Sequence, residues 1–210
     1  KKLILFMPSI EGGGVEKNFF IITNFLSKKI KNVSVITTFK NNRKKFHRNV
    51  NLIIPQYEFW ERCTRRIKYY ICLFLLLREI IYNRNLLVFA FQANIYCIII
   101  CKLFGISIIT RSNTAPDGWS NNIIKKLLYK FFLKKADRVV VNSYEFKRRM
   151  KNFFSIDSEC IYNPLNKNEI IKLSKIKVSK IFSKNKKLKI INIGRIVDQK
   201  DQITLLKAIN

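Results

Sequence analysis

The sequence predicts an α/β protein built on a doubly wound parallel sheet, with a second α/β segment opening near its end. Three observations carry this. Strand-like and helix-like segments alternate through the first stretch of about 160 residues, long enough to bury a core. A run of three glycines, Gly12, Gly13 and Gly14, separates the first strand from the first helix. A second strand-to-helix turn, Lys189–Lys200, carries Gly194, Arg195 and Lys200 at the carboxyl end of an apolar run.

Each element follows from local pattern. Residues 2–7 form an apolar strand, and 15–27 have helical spacing, with Val15, Phe19, Ile22 and Leu26 on one stripe. The β-branched residues Val33, Val35 and Ile36 predict a strand over 32–39, and 51–55 is a shorter one. Residues 61–82 are long, apolar and helical. Strand 86–91, helix 94–104, strand 106–110, helix 121–135, strand 137–142, helix 145–153 and strand 159–162 then alternate. From Asn166 to Lys187 the composition shifts to Lys, Ser and Asn, which reads as a linker holding one short helix over 169–173. The strand 188–193 follows it. No internal repeat is present.

With 41 Lys and Arg against 13 Asp and Glu, the formal net charge is +28, which attracts polyanions, anionic membrane surfaces and phosphorylated substrates. No zinc spacing, paired aromatic sheet motif or basic heptad helix accompanies this charge, so no dedicated nucleic-acid binding is expected. An abundance of Lys, Asn and Ile together also matches an AT-rich coding bias, which accounts for part of the excess. The cations Arg62, Arg65, Arg66 and Lys68 precede the apolar run Tyr69–Leu77. That run either packs on the sheet as a core helix, leaving the cation cluster to touch lipid, or lies in a headgroup layer. It falls short of the roughly 20 residues that span a bilayer. Because the first residues already form a strand, no secretory signal is expected.

Cys63, Cys72, Cys97, Cys101 and Cys160 have neither metal nor disulfide spacing, which points to a reducing compartment and the cytoplasm. His47, the single histidine, lies in a basic loop without a neighbouring carboxylate and is a poor base or ligand.

Four ordered pieces resemble the family 4 retaining glycosyltransferases of the GT-B fold: Gly12–Lys17, Ala136–Ser143, Ile161–Pro164 and Gly194–Lys200. The resemblance implies two Rossmann-like domains facing across a cleft, the first for the acceptor and the second for the nucleotide sugar. It implies an acceptor domain over 1–163, a linker over 164–186, and the start of the donor domain over 187–210. A sugar would pass from a nucleotide diphosphate sugar to a cell-surface glycan or polyprenyl-linked acceptor with retention, at the inner face of the cell membrane. The resemblance implies no metal, and no Asp-x-Asp occurs here to hold one; no other cofactor is expected.

Gly194, Arg195 and Lys200 would hold the donor diphosphate, Arg195 as a bidentate partner and Lys200 as a point charge. Gly12, Gly13 and Gly14 would form a loop pressing on the donor from the other side of the cleft; a purely steric role for a tight turn explains them equally well. Glu16 reads as a first-turn acid favouring the helix dipole. Where many relatives carry a histidine, this chain has Arg111-Ser112-Asn113-Thr114-Ala115-Pro116. Arg111 and Asn113 are the candidate substitutes, against a polar loop with turn chemistry alone. Asn210 comes one helix after the Gly194 motif, so most of a second domain is expected to be missing and the chain to be inactive alone. A non-catalytic Rossmann-like binding module and another kind of nucleotide-binding protein stand as alternatives. A dinucleotide-binding dehydrogenase would need Gly-x-Gly-x-x-Gly, which the Gly12–Lys17 spacing lacks.

Overall fold

The computed structural model describes residues 1–10, 12–41, 43–113, 123–176, 189–194 and 196–209. Two compact units divide the chain, Lys1–Asn166 and Lys167–Asn210.

The first unit is a seven-stranded parallel sheet. Its strands are β1 (Lys2–Phe6), β2 (Val33–Ile36), β3 (Val50–Ile53), β4 (Leu86–Ala90), β5 (Ser107–Ser112), β6 (Arg138–Val141) and β7 (Glu159–Cys160), in the order β3-β2-β1-β4-β5-β6-β7. Five helices connect them: α1 (Gly14–Lys29), α2 (Arg65–Tyr82), α3 (Asn94–Leu103), α4 (Ile123–Leu133) and α5 (Tyr144–Phe154). The Rossmann-like doubly wound sheet predicted from alternation is therefore present.

Alternating side chains divide the core between the two sheet faces. On β1, Ile4 and Phe6 join Cys72, Leu76, Cys97 and Cys101 from α2 and α3. Leu3, Leu5 and Met7 join Phe19 of α1, Phe46 and Phe91. Phe19 is fully buried and meets Phe91 edge-on at 4.9 Å, while Val15, Ile22 and Leu26 pack against the same cluster, as the helical stripe predicts. Burial raises the thiol pKa of Cys97 and pushes that of Cys101 up to about 12, so both act as small hydrophobes.

Three expectations need correction. The helix expected from 61 starts at Arg65, because Glu58–Arg62 forms a separate tight turn and Thr64 is extended. Strand β5 runs past Thr110: Arg111 pairs with Val140 and Ser112 with Val141, so Arg111 belongs to the sheet and not to a loop. Residues 189–193 form no strand. A parallel strand needs neighbours to satisfy its backbone, and the described residues of the second unit offer none. The described elements of that unit are α6 (Lys167–Ser174), a tight turn over Asp198–Lys200, and α7 (Gln202–Ile209). It buries no described side chain.

Candidate functional site

The strand order reverses at β1 and β4. The chain leaves β1 toward β2 and leaves β4 toward β5, so the connections diverge and open a crevice beyond their carboxyl ends. Gln92 lies two residues past the carboxyl end of β4 and is buried. Its Oε1 accepts from the Ser9 amide at 3.0 Å and its Nε2 donates to the Ser9 carbonyl at 2.9 Å, a buried two-way amide pair. Pro8 is held from the other side, its carbonyl accepting from the Thr38 hydroxyl at 2.9 Å.

The glycine loop leads from β1 into α1. Gly12 has φ +83°, in the left-handed region that glycine adopts without strain. Gly13 is the extended residue before α1, and no side chain caps the helix there. A Cβ on Gly13 would lie 2.7 Å from Glu16 Oε2, so the first-turn carboxylate folds back over the loop. Gly14 is the first residue of α1, and open space surrounds the place where its Cβ would be.

Arg111 sits at the carboxyl end of β5 and is 1% exposed. Its Nη2 donates to the Ile161 carbonyl at 3.1 Å and to Asn163 Oδ1 at 3.0 Å, while Nε is buried without a partner. Burial pushes the guanidinium below the usual arginine value, and no carboxylate pairs with it among the described residues. Asn94 Nδ2 donates to the Arg111 carbonyl at 3.0 Å, leaving Asn94 Oδ1 buried and unpartnered. Half-buried Asn113 reaches back to the Phe91 carbonyl at 3.4 Å. Arg111 and Asn113 therefore lie together with Gln92 and Asn94 at the carboxyl edge of the sheet, a cluster of one buried cation and three amide side chains. Thr114, Ala115 and Pro116 lie outside the described residues.

Gln92, Asn94 and Asn163 are not among the residues singled out from sequence. Gln92 lies in the turn after β4 and Asn94 opens α3, beside the first strand, the position that the topological rule marks. Asn163 belongs to the Ile161–Pro164 motif, whose spacing carries no hint of a partner in β5.

Gly194 and Lys200 belong to the second unit and are exposed; a Cβ on Gly194 would lie 3.6 Å from Lys200 Cγ, so the two are neighbours. Arg195 lies outside the described residues. Among the proposed lipid-facing cations, Arg62, Arg65 and Arg66 are exposed, and Arg65 Nε donates to the Tyr69 hydroxyl at 2.8 Å. Lys68 corrects that proposal. It is 6% exposed, with Nζ 4.6 Å from the centre of the Phe39 ring, because it shares the buried stripe of α2 with Cys72, Leu75 and Leu76. No group of three potential metal ligands occurs among the described residues, and no described helix is long and apolar enough to cross a membrane.

The chain resembles solved glycosyltransferase structures. HepE (Alr3699) of Anabaena in complex with UDP and glucose matches with a TM-score of 0.54 at 16% identity, over 83% of this chain and 49% of that one. UGT73P12 of Glycyrrhiza uralensis, complexed with glycyrrhetinic acid 3-O-monoglucuronide, matches with a TM-score of 0.53 at 12% identity, over 76% of this chain and 48% of that one. The chain thus spans about half the length of each, and at these identities the likeness shows the fold, that of GT-B glycosyltransferases. No protein-family model matches the chain, and no curated protein sequence does.

Proposed function

We propose that residues 1–163 form the acceptor-side domain of a retaining glycosyltransferase of the family 4 type, joined by a linker over 164–186 to a donor-side segment over 187–210. The observation that carries this reading is the polar edge at the strand-order reversal: a glycine loop over α1, the Gln92–Ser9 amide pair, and a buried Arg111 without an acid partner among the described residues. The GT-B likeness and the four sequence motifs support it.

The chemistry follows from charge. Sugar transfer breaks the bond between the anomeric carbon and a diphosphate oxygen and forms one to an acceptor hydroxyl. Fixed positive charge and amide donors beside the leaving oxygens lower the barrier most. Arg195 and Lys200 would supply that charge, with Gly194 allowing the backbone to approach. Arg111 and Asn113 would orient the acceptor, a glycan or polyprenyl-linked saccharide. Net charge and exposed Arg62, Arg65 and Arg66 support a place in the cytoplasm at the inner face of the cell membrane.

One observation favours a binding-only reading of the 210-residue chain: residues 189–193 form no strand, and Gly194 and Lys200 are exposed, so Lys200 lacks a rigid frame. Amide chemical shifts, followed while UDP-glucose and then a polyprenyl-linked saccharide are added, test both readings, alongside a radiolabel transfer assay. Shifts confined to Gly12–Gly14, Gln92 and Asn113, without turnover, are expected. Absence of any shift at that edge overturns the assignment, and robust turnover overturns the binding-only reading.

A further inference from the structure

Helix α4 is inside out. Ile124, Leu127, Leu128 and Phe131 follow the i, i+3, i+4, i+7 spacing of a core-facing stripe. Yet they are 68%, 60%, 50% and 57% exposed. The helix holds to the fold through Leu133, 2% exposed, while Lys126 and Lys130 on the opposite side are half-buried. A helix whose apolar face points to water marks an interaction surface.

The charge around the stripe selects its occupant. Between Asp117 and Asp137 the sequence has five lysines and no acid. Lys134 and Lys135 follow the helix directly, and Lys135 Nζ lies 5.3 Å from the centre of the Phe131 ring. A second copy of the chain would bring another net +28 against these lysines, and like charge opposes that pairing. An anionic bilayer satisfies both halves of the surface: the stripe enters the headgroup and acyl boundary, and lysine stems run along it while their ammonium groups stay at the phosphates.

We propose that the exposed face of α4 docks the protein onto an anionic lipid surface. The Arg62–Arg66 cluster, beside the core helix α2, adds long-range attraction without inserting. This deepens the peripheral attachment proposed above and does not depend on sugar transfer, so vesicle binding and ligand-induced shifts fail independently.

Flotation of the 210-residue protein with vesicles of phosphatidylcholine and phosphatidylglycerol, against pure phosphatidylcholine, tests it. Wild type is expected to float with the anionic vesicles only and to be released by salt. Leu127→Glu with Phe131→Glu should weaken binding about tenfold or more, while Arg65→Glu with Arg66→Glu changes it only about twofold. Since Leu127 and Phe131 are exposed, the circular dichroism of that variant should match wild type; Lys134→Gln with Lys135→Gln gives a second route to reduced, less salt-sensitive binding. Unchanged flotation of both α4 variants overturns the proposal. So does equal binding to neutral vesicles, or a dimer in sedimentation that Leu127→Glu with Phe131→Glu converts to monomer.

Discussion

Arg111 is tied to Asn163 across 52 residues of sequence, its Nη2 donating to Asn163 Oδ1 at 3.0 Å and also to the Ile161 carbonyl at 3.1 Å. The bond fastens the segment that leaves β7 to the carboxyl end of β5, one strand beyond its direct neighbour β6. It does so with a cation that burial disfavours. A buried charge held by neutral acceptors alone is a costly fastener.

Replacing Arg111 separates these roles. Arg111→Ala removes two hydrogen bonds and leaves a cavity, and should cost about 3 kcal/mol in urea unfolding. Arg111→Met keeps most of the volume and relieves the buried charge, and should stay within about 1 kcal/mol of wild type. If the Met variant keeps both its stability and its response to the saccharide, the arginine has no part in binding.

The glycine loop should be sensitive at one position and tolerant at the next. Gly12→Ala forces a Cβ onto φ +83° and should cost about 1 kcal/mol. Gly13→Ala meets only the far end of Glu16, whose carboxylate can rotate away, and should cost below about 0.5 kcal/mol. Denaturant midpoints of the two variants check the order; the reverse order contradicts the loop geometry.

Asp137 should govern acid stability of the sheet. Its Oδ2 accepts from the Lys102 ammonium and the Ile108 amide, both at 2.7 Å. Burial raises its pKa, but those partners outweigh burial and hold it below the ordinary value. The folded pKa is thus the lower one, so the contribution is full above the unfolded value near about 4 and is lost as pH falls through the folded value. Asp137→Asn should cost about 1 kcal/mol at neutral pH, a modest figure because the group is half-exposed. Unfolding at about pH 7 and about pH 3 should show this difference shrinking; an equal difference at both contradicts the assignment.

The sheet was legible because its signals are local. Leu3–Phe6 is a continuous apolar run, Val33, Val35 and Ile36 supply β-branched bulk, and the Val15–Leu26 spacing declares a helix that buries Phe19. Arg111 was misread as loop because Arg-Ser-Asn after an apolar run has no strand signature; pairing with Val140 and Val141 extends β5. Lys68 was grouped with its sequence neighbours, although its spacing from Cys72 and Leu75 places it on the core stripe. Residues 189–193 have strand composition, and composition cannot supply the partner strands a ladder requires. The Gln92–Ser9 amide pair depends on strand order, which no window of sequence contains.

Limited proteolysis should divide the chain near the boundary of its two units. Residues Lys1–Asn166 carry both hydrophobic clusters and the whole parallel sheet, so opening any strand breaks a shared core. Among the described residues of Lys167–Asn210 the apolar side chains contribute no such core: Ile193 and Ile196 are each 93% exposed, and neither α6 nor α7 buries a residue. Each of those helices has 8 residues, too short to persist on propensity alone. Local opening there is opposed by little apolar contact, so its lysines should be cut first. Trypsin at low ratio should therefore yield a resistant product ending close to Lys167, with the thermal midpoint of the first unit nearly unchanged. Mass spectrometry of the digest reads the outcome directly. Early cuts within β1–β6, or a second unit that outlasts the first, would show that stability does not follow this distribution of buried apolar surface.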